Sequence, residues 1–143
     1  MSIIEKTSKV AAHPLRYALL VLAPPYSQQA SHSAIRFAQA LLVQGHVLET
    51  VFFYHDGVYN AARVQHPPQD EPSIVKEWQS LGEQSGASLQ VCIAASSKRG
   101  ITTEEEAKRY GEPLETLALG FELAGLGQLV QATAVCDRIM TFA

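Results

Sequence analysis

Tyr17-Ala18-Leu19-Leu20-Val21-Leu22-Ala23, closed by Pro24-Pro25, is the stretch that decides the fold of this chain. Seven apolar residues in a row, without polar alternation, are the pattern of a strand covered on both faces. Such strands belong to parallel sheets, whose crossover helices supply the cover. The following segments keep this rhythm. Ala34, Phe37, Ala38, Leu41 and Leu42 recur at helical spacing between Ser31 and Gln44, and Gly45 supplies the stop. A second strand reads from Val47 to Tyr54 and opens into a loop carrying Asp56-Gly57 and Val58-Tyr59-Asn60. Pro67, Pro68 and Pro72 mark a long connection to an amphipathic helix from Ser73 to Gln84, with Ile74, Val75, Trp78 and Leu81 on one side.

Gly86 leads into a third apolar run, Leu89-Gln90-Val91-Cys92-Ile93, and Thr102-Thr103-Glu104-Glu105-Glu106 then offers overlapping capping boxes for a short helix ending at Tyr110-Gly111. A short strand from Leu119 to Leu123, a glycine-punctuated helix from Leu126 to about Thr133 and a buried last strand from Val135 to Phe142 complete the series. Strands alternating with helices predict a single α/β domain over residues 15–143, preceded by a tail over residues 1–14 that Pro14 closes. Its architecture is expected to be doubly wound, with a mainly parallel five-stranded sheet and helices on both faces. Right-handed crossovers make a flavodoxin-like strand order the expectation.

Composition narrows the function classes. The chain has 143 residues, enough for one sizeable core, and its 47% hydrophobic content is that of a globular protein. A net charge of −3 gives no general pull toward nucleic acid. The 17% charged content is low and points to surface covered by partners. Two cysteines make no disulfide framework, and the five scattered histidines make no metal-ligand spacing. Residues 1–13 lack the continuous apolar stretch of a signal peptide, and no run reaches the length of a membrane span, so a soluble cytoplasmic protein is expected.

The first strand-to-helix turn, Pro24-Pro25-Tyr26-Ser27-Gln28-Gln29-Ala30-Ser31, contains no glycine. Neither a dinucleotide fingerprint nor a phosphate loop exists there, and helix capping accounts for Ser27 and Ser31 better than anion binding does. Cys92 is the chemical candidate. It stands where the third strand breaks into Ala94-Ala95-Ser96-Ser97-Lys98-Arg99-Gly100, on the sheet edge where α/β folds bind ligands. A thiol reacts as its thiolate, which Lys98 and Arg99 would stabilise if they lie close. Against this, free cysteine is often buried as a small hydrophobe, and a basic pair is as often a solvated loop. His55 and Asp56 share the edge, but Asp-Gly favours a solvated turn over a Cys-His pair. Glu104 to Glu106 read as a solvated first helical turn, and Cys136 reads as a packing residue in the last strand.

Several segments in order carry a resemblance. They are Pro25-Tyr26 with Gln28-Gln29-Ala30-Ser31, Phe37-Ala38-Gln39-Ala40-Leu41, Gly45-His46, and Val51-Phe52-Phe53-Tyr54 through Gly57-Val58-Tyr59-Asn60-Ala61. Val91-Cys92-Ile93-Ala94-Ala95 with Arg99-Gly100, Gly120-Phe121 with Gly125-Leu126-Gly127, and Cys136-Asp137-Arg138 continue them. Together they resemble the DsrE/DsrF-like family of intracellular sulfurtransferases, in particular its TusD subfamily, from about Arg16 to Phe142. The tail departs from the family's shorter pattern. The resemblance implies that Cys92 carries a persulfide, and it transfers no other catalytic residue. It implies no metal and no organic cofactor. It also implies a heterohexamer with TusB-like and TusC-like subunits, a TusA-like sulfur donor and a TusE-like acceptor, without direct contact to nucleic acid or membrane. The sulfur would serve 2-thiolation of the tRNA wobble uridine. Alternatives are a DsrE-type subunit of dissimilatory sulfur oxidation, and a non-catalytic small-molecule-binding or structural α/β module. For the transfer reaction, Cys92 is expected in a shallow exposed site, since donor and acceptor must both reach the sulfur.

Overall fold

In the computed structural model, which describes residues 11–143, the first apolar run forms strand β1 (Arg16–Val21). The expected tail over residues 1–14 lies outside the described residues except for its last few positions. After β1 come α1 (Ala30–Val43), β2 (Val47–Phe53), a 3-10 helix (His55–Ala61), α2 (Ile74–Ser85) and β3 (Ser88–Cys92). The chain continues through α3 (Ile93–Ser97), α4 (Glu104–Tyr110), β4 (Phe121–Ala124), α5 (Leu126–Val135) and β5 (Arg138–Phe142).

All four strand pairings are parallel, in the order β4-β3-β2-β1-β5. The α/β class and the five-stranded parallel sheet agree with the sequence. The strand order does not follow the flavodoxin-like 2-1-3-4-5. Here β1 to β4 step in one direction, and only β5 returns, to the free side of β1. Both orders obey the handedness rule, and hydrophobic alternation does not say where the direction reverses. Right-handed crossovers therefore put α1, α2 and the α3–α4 segment on one face and leave α5 alone on the other.

The crowded face holds most of the aromatic core. Leu19 and Val21 align with Val51 and Phe53, which align with Leu89 and Val91, and these with Phe121 and Leu123. Phe53 meets Trp78 of α2 edge to face at 5.1 Å between centroids and Phe121 at 5.7 Å. At full burial each such side chain contributes about 1.5–3 kcal/mol. The face under α5 is more polar. Thr50, Ser88, Gln90 and Glu122 point there with Ala18, Phe52 and Cys92, and α5 itself carries no charged residue.

Helix ends follow the chain's signals closely. Ser73 caps α2 by accepting the Lys76 amide, and Thr103 and Glu106 form the reciprocal box expected at the start of α4. Three segments depart from expectation. The stretch after Cys92 is a helix, α3, and not an open loop. The last strand begins at Arg138, because α5 runs on to Val135, and it is a largely exposed edge strand where a buried one was expected. The Asp-Gly loop is wound into the 3-10 helix, where His55 and Asp56 stay exposed as expected of a solvated turn.

That 3-10 helix presses against the end of β1. A Cβ on Gly57 would sit 2.1 Å from the Val21 carbonyl oxygen, so only glycine fits. Asn60 lies behind it, fully buried. The Trp78 indole N–H donates to Asn60 Oδ1 at 3.0 Å, which fixes the orientation of the amide, since an indole can only donate. Asn60 Nδ2 then faces the carbonyls of Gly57 (2.9 Å) and Ala23 (3.2 Å) and the hydroxyl of Ser31 (3.1 Å). Ser31 does not cap α1, whose N-cap is Gln29. Its hydroxyl donates to Ala23 at 3.0 Å. Asn60→Ala leaves the indole N–H and the Gly57 carbonyl without these partners, and we expect a loss of about 2–4 kcal/mol in urea unfolding. A loss below about 1 kcal/mol would show that the amide is not the junction described.

Candidate functional site

Cys92 is the last residue of β3 and the N-cap of α3, so strand and helix join without a connecting loop. It pairs with Ala124 at the end of β4, which places it at the carboxyl edge of the sheet as expected. Its exposure is the correction. At 3% the side chain is buried, not shallow and open, because the chain coils back as α3 directly after it. Ala95 and Ser96 of this helix are buried too, and the Ser96 hydroxyl has no hydrogen-bond partner.

The basic pair is divided. Lys98 caps the C-terminal end of α3 and is exposed. Arg99 turns back: its Nη1 donates to the Ala95 carbonyl at 3.0 Å, and its Nε donates to Asp56 Oδ1 at 2.9 Å. Among the described residues neither side chain hydrogen-bonds to the sulfur, so the structure gives Arg99 a carboxylate partner in place of the thiol. His55 stacks on Tyr54 at 4.0 Å between centroids and makes no hydrogen bond to Cys92. The edge thus joins Asp56 to Arg99 and leaves His55 aside.

Two residues beside this edge hold left-handed backbone without being glycine, Tyr26 (φ 68°) after β1 and His55 (φ 49°) after β2. Tyr26 is tied down through its hydroxyl, which accepts the Ile74 amide (3.3 Å) and donates to the Pro72 carbonyl (3.4 Å). Pro24, Pro25, Tyr26, Tyr59 and Pro67 line part of a groove of about 520 Å³ on this side. The Ser31–Asn60–Trp78 network was not foreseen as a unit. Its only trace in the sequence is a run of small and polar residues after each of the first two strands.

Cys136 lies at the C-cap of α5, half-buried, and not inside a strand. Burial raises its thiol pKa and Glu49 adds to this; Arg16 opposes, and Asp137 reinforces the rise. Arg16 is engaged elsewhere, bound to Glu49 at 2.9 Å and to Asp137 through its backbone amide at 2.7 Å. No His, Cys, Asp or Glu cluster among the described residues could hold a metal, and no helix there is long and apolar enough to cross a membrane.

A five-stranded parallel α/β domain with a cysteine at the carboxyl end of its third strand is the class this fold and site define. The sequence pattern of the DsrE/DsrF-like family matches residues 16–142, and the chain belongs to that family. Sulfurtransferase TusD of Cronobacter sakazakii is 46% identical over 128 residues, covering 90% of this chain and 100% of that protein. Sulfurtransferase TusD of an Enterobacter species is 48% identical with the same coverage. The crystal structure of the ychN protein from E. coli superposes with a TM-score of 0.73 over 90% of this chain and 99% of its own, at 23% identity, a likeness of fold.

The two thiols are chemically separable. Cys136 should alkylate with a pH midpoint above that of a free thiol, and Glu49→Gln should lower it by removing a carboxylate and freeing Arg16. Iodoacetamide rates against pH, resolved by peptide mass, check this. A Cys136 midpoint at or below the free-thiol value would contradict the account of its surroundings.

Proposed function

We propose that this sulfurtransferase is a sulfur-relay subunit in which Cys92 is the persulfide carrier. The observation that carries the reading is the place of Cys92, at the carboxyl end of β3 where the chain turns directly into α3. The names of its relatives support it. In the first step the Cys92 thiolate attacks the outer sulfur of a donor persulfide. A bond forms between Sγ and that sulfur, the donor's S–S bond breaks, and its electron pair leaves on the donor thiolate. In the second step an acceptor thiolate attacks the outer sulfur of the Cys92 persulfide and releases Cys92 as thiolate. Each step is thiol exchange, governed by thiolate fraction, leaving group and access. Neither step changes the total oxidation state, and neither requires a metal or organic cofactor.

In this reading residues 15–143 form the working domain in the cytoplasm. Its partners are TusB-like and TusC-like subunits, a TusA-like donor and a TusE-like acceptor, and the sulfur serves tRNA 2-thiolation. The lone, uncharged helix α5 supports a covered surface: Leu126 and Val130 are 48% and 66% exposed in the single chain. Obligate interfaces are large and apolar. Co-expression with the two partner chains should give one defined assembly by light scattering. A monodisperse monomer with full transfer activity alone would refute the complex.

Cys92→Ser keeps the shape of the site and removes the soft nucleophile. We expect it to fold and to take up no sulfur, whereas Cys136→Ser should load as wild type does. Intact-mass spectrometry after incubation with a persulfide donor reads one added sulfur atom. Loading of Cys92→Ser at the wild-type level, or its loss in Cys136→Ser alone, would mean that the wrong cysteine has been chosen.

A further inference from the structure

Two different thiols must reach Cys92 in turn, yet its own following helix covers it. We propose that the Arg99–Asp56 ion pair is the latch that holds α3 over Cys92, and that Arg99 and Asp56 are positioning residues which set access to the sulfur. The inference rests on the reading of Cys92 as the transferring thiol.

The two halves of the latch differ in stiffness. Asp56 stands on the 3-10 helix, which Gly57 wedges against the end of β1 and Asn60 bonds to three neighbouring segments. That is a fixed post. The covering segment is short, running from Ile93 to Gly100, where φ is 72°. It lies between Cys92 in the sheet and Ile101, which is buried at 2%. One guanidinium joins the two parts, since Nη1 holds the Ala95 carbonyl of α3 while Nε holds Asp56. Arg suits this task because its planar fork can serve two acceptors at once, which a lysine ammonium does less well.

Little else among the polar groups favours the closed position. The Ser96 hydroxyl is buried there without a partner, and Ile93, Ala94, Ser97 and Lys98 face solvent. The side chain of Asp56 is 58% exposed against 22% for Arg99, so a cationic side chain on an incoming carrier protein can take Asp56 and let α3 lift. Access would then follow docking, and the loaded sulfur would be shielded from stray thiols between partners.

The test uses the full chain at low salt, with iodoacetamide alkylation of Cys92 followed by peptide mass. Asp56→Ala and Arg99→Ala should each speed alkylation by about two- to fivefold, the range one such ion pair can supply. Asp56→Glu should restore a rate near wild type. Glu105→Ala, which removes the exposed Arg109–Glu105 pair of α4, should change nothing. Raising salt from about 0.05 to about 0.5 M should speed the wild type and leave the two alanine variants unmoved, since screening acts on the pair itself. Wild-type rates in both alanine variants would overturn the latch. So would equal acceleration of Cys92 and Cys136 with a lower melting temperature, which would mean general loosening. Alkylation reports access whether or not Cys92 carries sulfur, so failure of the persulfide assignment would appear only in the loading experiment.

Discussion

The amide of Asn60 is the constraint on which the carboxyl edge depends. A side-chain amide buried completely must find partners for its oxygen and its nitrogen, and here they come from four segments. The end of β1, the start of α1, the 3-10 helix and α2 meet at that one group. Once it is seated, the 3-10 helix has only one way to lie against β1, and Gly57 accepts the contact because it has no Cβ to place there. The rigid platform beside the reactive cysteine therefore follows from hydrogen-bond satisfaction and not from hydrophobic packing alone.

Much of the fold was legible because periodicity survives in each element. β1, α1, β2 and α2 fall within a residue or two of their expected limits, and the capping box of Thr103 and Glu106 forms as the spacing implies. Strand order was not legible. The same alternation of strands and helices is compatible with any point of reversal, and here only β5 turns back. Val135 and Cys136 were assigned to a strand because a short apolar run reads equally well as the end of a helix.

The candidate site was legible in its residue and not in its surroundings. Cys92 was found because an apolar run ends there in small residues. What covers it was missed, since Ala94-Ala95-Ser96-Ser97 looks like loop and forms a helical turn. The partner of Arg99 was invisible because Asp56 is 43 residues away in the chain. Lys98 and Arg99 looked equivalent in sequence, yet one ends in solvent and the other spans two elements. A charged side chain acquires its role from long-range geometry, which composition does not record.

The reversal at β5 also bears on how the chain folds. Four strands can assemble in the order in which they are synthesised, each beside its predecessor, while β1 waits with an open side. Its second neighbour comes only from the far end of the polypeptide: the backbone amide of Arg16 binds the Asp137 carboxylate across 121 residues. Loop-closure entropy grows slowly with such a separation, but contacts between distant residues slow folding. Until release from the ribosome, the nascent domain therefore carries the bare edge of its most apolar strand, and the last few residues are the ones that close it.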